Sequence, residues 1–326
     1  MVTAYPELPR ERDVWILGQR PLRNQLNPYQ PYSFASEEER TESGAVAGVA
    51  TLLLTNRECP WRCLMCDLWR NTLTETVPLG AIPAQIDYAL ARLPSARQIK
   101  LYNSGSFFDP RAFPKEDYPA IAERVRGFER VIVECHPTLV GEACVRFRDL
   151  LSLGEPRGKV ATLEVAMGLE TVHPEVLSRL NKRMNLQQFS GAAEFLRKHD
   201  IALRVFILVK PPFLDEDEAL HWAKRSLDFA FECGATVASL IPTRFGNGAL
   251  EALAERGQFS PPKLSTLEQA TEYGVSLKRG RAFADLWDLE RFADCASCFP
   301  ARLARLREMN FTQTVKPVIF CPVCGS

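Results

Sequence analysis

The chain has 326 residues, of which 46% are hydrophobic and 25% are charged, so it can form one large α/β domain with appendages around a sizeable core. Basic and acidic side chains balance at 40 each, which argues against a uniformly basic protein that attracts nucleic acid by bulk charge. No apolar run approaches the roughly 18 residues of a membrane span, and the N-terminus lacks the apolar segment of a signal peptide, so we expect a cytoplasmic protein without membrane contact.

The first 45 residues are rich in proline, arginine, glutamate and serine and predict an extended arm with short turns. Six short apolar runs then recur without helical spacing, as expected of buried strands. They lie at residues 45–55, 97–103, 130–135, 159–168, 202–210 and 235–242. Amphipathic stretches of helical length separate them, at residues 82–93, 118–128, 138–153, 173–184, 186–199 and 215–233. This alternation predicts a parallel sheet with helical crossovers.

The alternation alone fits either a doubly wound sheet or a barrel. No G-x-G-x-x-G segment follows the first strand, which argues against a dinucleotide-binding fold, and six units are fewer than the eight of a complete (β/α)8 barrel. The acidic residues Asp215, Glu216 and Asp217 precede an amphipathic stretch and are typical of a helix start. After residue 243 the periodicity weakens.

Ten cysteines are many for this length, and in a reducing compartment they are not expected to form a disulfide framework. Three of them, Cys59, Cys63 and Cys66, form a C-x3-C-x2-C cluster just past the first predicted strand. Three thiolates can hold an iron–sulfur cubane and leave one iron open for a ligand. The alternatives are a zinc site without its fourth ligand, or thiols that are merely buried; zinc sites favour C-x2-C pairs, and no histidine lies nearby.

The sequence C-x3-C-x-Φ-C, with Met65 at the Φ position, resembles the signature of the radical S-adenosylmethionine (SAM) superfamily. The resemblance implies that the three thiolates hold a [4Fe-4S] cluster, whose open iron binds SAM and whose electron, from a donor such as flavodoxin or ferredoxin, releases a 5′-deoxyadenosyl radical. It also implies an α/β fold, a partial (β/α)6 TIM-like barrel of the radical SAM type. We expect an N-terminal arm (1–45), this core (46–255) and a C-terminal extension (256–326) with a cysteine-rich metal site.

The same resemblance assigns further residues to the cofactor site. The loop after the second strand usually contacts SAM, and here it contains Asn103, Ser104, Gly105 and Ser106. An ordinary turn is the alternative, although Gly105 would permit a close backbone approach.

The ends of the fourth and fifth runs supply the remaining candidates. Glu164 and Gly168 lie in the fourth run, which often lines the SAM site. Glu164 is also a candidate catalytic residue, and a buried structural salt bridge is its alternative. Lys210, which two prolines follow, is the other candidate catalytic residue, and a surface lysine is its alternative. His136, at the end of the third run, is more typical of a structural residue.

Several segments resemble a narrower group, the archaeosine-synthase radical SAM subunits of the elongator-like branch. They are NRECPWRCLMCDLW, YNSGSFFDP, VAMGLET, LVKPPFLDEDEA and FSPPKLST, and the resemblance covers residues 45–326. It implies action with a partner protein on a modified 7-deazaguanine in tRNA. Cys135-His136 replaces the more basic pair expected in such relatives, and the net charge is zero. A small metabolite or a peptide is therefore an alternative substrate, and a zinc-stabilised binding protein is the non-enzymatic alternative.

Two C-x2-C pairs near the C-terminus, Cys295–Cys298 and Cys321–Cys324, are typical of a four-cysteine zinc site. An auxiliary iron–sulfur cluster is the alternative, because paired thiolates serve either metal. Between the pairs, Arg302, Arg305 and Arg307 could present a basic face to RNA or form a solvated flank of a helix.

Overall fold

A single eight-stranded sheet, with its strands in the order of the chain, organises the computed structural model, which describes residues 4–153 and 161–325. The first strand pairs antiparallel with the second, and every later pair is parallel. The strands are β1 Ser33–Arg40, β2 Val46–Leu53, β3 Gln98–Tyr102, β4 Arg130–Glu134, β5 Thr162–Glu170, β6 Ala202–Val209, β7 Val237–Pro242 and β8 Arg281–Ala284.

Helices connect the parallel strands and cover one face of the sheet. They are α1 Pro9–Gln19, α2 Ala81–Leu90, α3 Tyr118–Val125, α4 Glu142–Leu151, α5 Pro174–Arg179, α6 Leu186–Lys198, α7 Glu216–Glu232, α8 Ala249–Ala254, α9 Leu264–Leu277 and α10 Phe299–Thr312. The apolar core lies between these helices and the strands. Because a doubly wound sheet reverses its strand order and this sheet does not, the predicted α/β partial barrel is confirmed.

The helix starts follow the predicted local chemistry. Asp215 caps α7 by accepting a hydrogen bond from the backbone N–H of Glu218, as the run of acidic residues predicted. Asn185 and Gln188 form a reciprocal capping box at the start of α6. The fourth predicted run begins at residue 159, and its first two residues lie outside the described part of the chain.

Two strands were not predicted from the sequence. β8 has only four residues, and β1, with the sequence SFASEEER, is too charged to suggest a buried strand. Its acidic residues face other charges, because Glu37 and Glu39 both bind the ammonium of Lys100 on β3, at 2.9 and 3.0 Å. The predicted arm therefore contributes an edge strand to the sheet.

Buried ion pairs fill the concave side of the sheet. The guanidinium of Arg204 on β6 binds Glu39 on β1 and Glu164 on β5, the latter with 2.6 Å between Nε and Oε1. Arg130 binds the other oxygen of Glu164 at 2.8 Å. Since β1 and β6 are five strands apart, Glu39 and Arg204 can meet only because the sheet curls.

The free edge of β8 is covered by two amide side chains of the last helical segment. Asn310 accepts from the N–H of Ala284 and donates to its carbonyl, and Gln313 does the same with Ala282, all at 2.8–2.9 Å. These four bonds imitate a neighbouring strand, so the edge is not open to another chain.

We expect Arg204→Met to lower the free energy of unfolding by about 3–5 kcal/mol at pH 7, because Glu39 and Glu164 would stay buried without their partner. Burial opposes ionisation, but Arg204 and its basic neighbours hold the pKa of both carboxyls below the ordinary value. That stabilisation is present above the unfolded-state pKa of about 4.3 and is lost as the pH falls below it. The difference in free energy of unfolding between the wild-type protein and Arg204→Met should therefore become smaller below pH 4, as measured by urea unfolding curves. Arg225→Met, at an exposed position of α7, is the control; an equal deficit at every pH would contradict the role of Arg204.

Candidate functional site

The cysteine cluster lies in a loop after β2, at the carboxyl ends of the parallel strands, and other loops fix its shape. The backbone N–H of Leu64 donates to the carbonyl of Leu180 at 2.9 Å. The side-chain amide of Asn181 donates to the Arg62 carbonyl at 2.8 Å, and that of Asn247 donates to the Leu64 carbonyl at 2.7 Å. Residues that follow β5 and β7 thus hold the loop before any ligand binds.

Burial raises the pKa of all three thiols in this loop, to about 12 for Cys63 and well above the ordinary value for Cys66. Such thiols ionise only beside a positive group, which a metal centre supplies. Among the described residues, the C-terminal cysteines are the only group of three or more ligands within 4.8 Å of one another. Cys59, Cys63 and Cys66 do not form such a group, so at least one pair of their sulfur atoms is more than 4.8 Å apart.

The loop after β3 contacts the cysteine loop closely. A side-chain carbon built on Gly105 would lie 2.9 Å from the Cβ atom of Cys59, so only glycine fits there without a shift. Asn103, at the same edge, is completely buried, and neither its side-chain oxygen nor its nitrogen has a hydrogen-bond partner within residues 4–153 and 161–325. An unpartnered buried amide is costly, and beside three thiols it fits a polar ligand.

The backbone of this loop binds a carboxylate. The N–H groups of Asn103, Ser104 and Gly105 surround Glu134 at the end of β4. Burial raises the pKa of Glu134 to about 7, against the lowering effect of these donors. The two predicted serines point elsewhere. The hydroxyl of Ser104 contacts that of Tyr32 at 3.0 Å, and the hydroxyl of Ser106 accepts from the N–H of His136 at 3.1 Å.

A buried cation lies beside the cysteines and was missed by the sequence analysis. The ammonium of Lys182 binds the carboxylate of Glu170 at the end of β5. Burial disfavours its charge, but Glu170 and Cys63 hold the pKa of Lys182 above its ordinary value. A side chain at Gly168 would overlap with both groups, so the predicted Gly168 makes room for this pair. The motif G-x-E was the only signal of this pair in the sequence. No pattern pointed to Lys182, which lies 12 residues after Glu170.

Three arginines converge on Glu58, the residue before Cys59. Arg20 and Arg23, from the N-terminal arm, bind its two carboxylate oxygens at 2.8 and 2.6 Å, and Arg62 binds at 3.0 Å. This group has two more positive than negative charges. No sequence pattern assigned the arm a role at the site, whereas in the structure Arg20 and Arg23 of the arm bind the cysteine loop.

His136 is structural, as its sequence context suggested. Burial and the neighbouring Lys182 lower the pKa of His136 to about 3, so the ring is neutral. It stacks on Trp61 of the cysteine loop, with 3.8 Å between ring centroids. The imidazole thus forms part of the wall that supports the loop.

The two residues predicted to be catalytic are not brought together. Glu164 is paired with arginines and lies six residues, or roughly 20 Å of strand, before Glu170. Its contacts favour the salt bridge that the sequence left as an alternative. Lys210 is buried at the end of β6 and donates to Glu216 at 2.8 Å, to Ser260 at 2.8 Å and to the Pro261 carbonyl at 3.4 Å. It is not the surface lysine of the alternative; its three contacts tie the strand to the following segment.

The other predicted residue of the cysteine loop, Met65, is half-buried against an apolar cluster formed by Val176, Leu180, Leu208 and Leu214. It helps to seat the loop on α5 and on the end of β6.

Strained backbone is concentrated at this end of the sheet. Ten described residues other than glycine have positive φ, and six of them follow β3, β5 or β6: Ser104, Glu170, Asn181, Arg183, Lys210 and Phe213. Such conformations cost about 1–3 kcal/mol each and cluster at functional sites. At the carboxyl end of the sheet, these strained conformations therefore lower the stability of the fold and set the local geometry of the backbone.

The four C-terminal cysteines form a second candidate centre. All four sulfur atoms lie within 4.8 Å of one another, and those of Cys298 and Cys324 are 3.9 Å apart. Four thiolates around one tetrahedral zinc ion would be roughly 3.8 Å apart, given Zn–S bonds of about 2.3 Å. The geometry thus favours a single ion over an auxiliary iron–sulfur cluster.

The arginines between the two cysteine pairs do not form an RNA-binding face. Arg302 is buried and binds Glu268 at 2.6 Å, and Arg305 is buried and binds Glu272 at 2.6 Å. Only Arg307 is exposed. Neither sequence interpretation of this set was right, because two of its members dock α10 on α9.

No known family model matches the chain. By sequence it is similar to archaeosine synthase subunit beta of Methanosarcina acetivorans, with 29% identity over 69% of this chain and 67% of that protein. The predicted resemblance to this subunit is therefore confirmed. The relative is by its name part of an enzyme, which agrees with the prediction of an enzyme.

Solved structures give weaker likenesses. The archaeal Elp3 of Methanocaldococcus infernus matches with a TM-score of 0.48 and 13% identity, over 73% of this chain and 56% of that one. A radical SAM methyltransferase of Kitasatospora setae matches with a TM-score of 0.45 and 18% identity, over 64% and 39%. In the described parts of the chain, no helix is long and apolar enough to cross a membrane.

We expect Cys321→Ala to remove about one zinc ion per chain and to leave the iron content unchanged, because Cys321 belongs to the compact four-thiol group alone. Metal analysis of the purified protein would measure both metals. Cys233→Ala changes an isolated half-buried thiol and is the matched control. Loss of iron instead of zinc would mean that this group holds an auxiliary cluster.

Proposed function

We propose that this chain is a radical SAM enzyme that modifies a nucleoside in tRNA. The observation that carries the proposal is the conjunction of three half-buried thiols in one loop with the unpartnered amide of Asn103 at the carboxyl end of a partial barrel. A structural zinc ion is usually held by four protein ligands and has no need of the free amide. A zinc-stabilised binding protein is therefore the weaker reading of the first cysteine set.

In this proposal, Cys59, Cys63 and Cys66 would hold a [4Fe-4S] cluster and leave one iron for SAM. When bound, the cluster would supply the electron that cleaves SAM to a 5′-deoxyadenosyl radical. The cluster ligands are anionic and half-buried, so they need compensating charge. Lys182 is itself paired with Glu170, so the surplus of two positive charges comes from the three arginines around Glu58.

The remaining residues position the ligand and keep the site closed. Gly105 allows the loop after β3 to lie against Cys59, and Asn103 offers one donor and one acceptor to the polar end of SAM. Trp61 and the neutral ring of His136 form an apolar wall beside the cysteines. A wall of this kind excludes water, which a carbon radical at the site requires.

The tRNA substrate is supported by the name of the sequence relative and by local charge. Although the chain has no net charge, Arg20, Arg23 and Arg62 give the rim of the cysteine loop a positive surplus. Phosphate groups are attracted to such a rim. As the relative is a subunit, we propose that the chain works with a partner protein, and that a flavodoxin or ferredoxin delivers the electron.

We expect anaerobically reconstituted, dithionite-reduced protein to form 5′-deoxyadenosine from SAM, and Cys63→Ala to lose this product at least 100-fold. The variant removes a thiol that would bind one iron. Chromatography of the quenched reaction measures the product, and circular dichroism checks the fold. Full SAM cleavage by Cys63→Ala would mean that the ligands are misassigned. For the substrate, an unchanged nucleoside profile of bulk tRNA from a deletion strain would refute the tRNA assignment alone.

Gly105→Ala should lower the iron and sulfide bound per chain by half or more, because its added methyl group would lie 2.9 Å from the Cβ atom of Cys59 and displace the loop. The matched control is Gly191→Ala in α6, where a methyl group meets nothing within 4 Å. Iron and sulfide assays after reconstitution report cluster binding directly. Equal iron in the two variants would show that the contact with Cys59 does not constrain the cluster ligands.

A further inference from the structure

A cavity lies near the carboxyl end of β6, and none of the three cysteines of the first cluster lines it. It has a volume of about 520 Å³, within the usual range for small-ligand pockets. Its walls come from the end of α5, from the segment that links β6 to α7, and from the loop after α8. They include Arg179, Phe213, Gln258 and Phe259.

The wall of this cavity carries a planar cation stacked on an aromatic ring. The guanidinium of Arg179 lies 3.4 Å over the centre of the Phe213 ring. Phe213 has a φ of 74°, which is a genuine outlier for a bulky side chain. The ring thus lies under Arg179 at the cost of a strained backbone, and strained residues also occur near the cysteine loop.

The cavity also offers an unmet donor and an unmet acceptor. The Nε atom of Arg179 and the Oε1 atom of Gln258 are buried, and neither has a hydrogen-bond partner within the described chain. The other charges of the wall are engaged, because Lys210 binds Glu216 and Asp215 caps α7. Arg179 forms no ion pair with any described residue, so it is the available cation.

A stacking surface next to one donor and one acceptor suits a flat heterocycle with polar edges. Nucleobases have this form, and proteins commonly bind unpaired RNA bases on aromatic rings and arginine planes. We propose that this cavity binds an unpaired nucleobase of the RNA, separate from the nucleotide that reacts. This inference rests on the proposed tRNA substrate. A free phosphate would need the charge of Arg179 but not the ring beneath it.

The position of the cavity suits such a role. Arg179 ends α5, and the next three residues, Leu180 to Lys182, contact the cysteine loop or the charges beside it. Phe213 and Met65 pack against the same apolar cluster. A base held here would therefore hold the RNA near the cysteine loop without contact with Asn103, which does not line this cavity.

The test is binding of a fluorescently labelled, unmodified tRNA transcript to the full-length reconstituted protein, followed by anisotropy. Loss of one stacked base weakens binding roughly 5- to 100-fold, which is the effect we expect for both Phe213→Leu and Arg179→Gln. Arg179→Lys keeps the positive charge but loses the planar guanidinium, so it should weaken binding by a similar factor. Arg225→Gln removes an exposed charge elsewhere and should stay within twofold of wild type.

Two further readouts separate the possible outcomes. A 4-thiouridine-labelled transcript should cross-link to a peptide that contains Phe213 or Phe259, and the salt dependence of binding should not change in Phe213→Leu. Full binding by Arg179→Lys together with a reduced salt slope for Arg179→Gln would indicate a phosphate contact and overturn the nucleobase assignment. Wild-type affinity in all variants would overturn the subsite alone. Absence of tRNA binding by the wild-type protein would overturn both the subsite and the RNA substrate, while 5′-deoxyadenosine formation would still report the radical chemistry independently.

Discussion

The sharing of one buried guanidinium, that of Arg204, between Glu39 and Glu164 is the interaction on which the shape of the sheet depends. It joins the first, fifth and sixth strands across the concave side, where hydrophobic packing alone would not specify which strands meet. Buried ion pairs of this kind add little net stability, but they disfavour arrangements in which a charge is left alone. The curl that results brings the carboxyl ends of the strands towards one another, and every cofactor residue that we propose lies at those ends.

The two ends of the partial barrel therefore have different tasks. Towards the amino ends of the strands, Arg204, Glu39, Glu164 and Arg130 form ion pairs with one another. At the carboxyl ends, the amide of Asn103 and the Nε atom of Arg179 are buried without partners, and six residues adopt strained backbone conformations. Arg179 lines a cavity that Asn103 does not line, which is why we assign the two unsatisfied groups to different ligands.

The sequence predicted six of the eight strands, their helices and both cysteine sets, because apolar periodicity and thiol spacing are local signals. It missed β1, whose glutamates looked solvent-exposed until Lys100 and Arg204 were found opposite them. It likewise missed Lys182 at the site and favoured no role for the arm, although Arg20 and Arg23 bind the residue before Cys59. In each case the partner lies far away in the chain, and periodicity contains no information about such partners. Glu164 was recognised as buried, but only the fold could reveal whether arginine or a cofactor satisfies it.

The helix that protects the last strand begins directly after one of the four clustered C-terminal cysteines. Cys298 is the N-cap of α10, and Asn310 and Gln313, near its other end, occupy the hydrogen-bonding groups of β8. The four-thiol site and the covered edge of β8 thus lie at opposite ends of α10. If the four thiols hold an ion, its loss would loosen the start of this helix, and the loosened helix would uncover a strand that can pair with the same strand of another molecule. Occupancy of this small site would then bear on whether the protein remains dispersed, even though the ion would take no part in the chemistry proposed at the other cysteines.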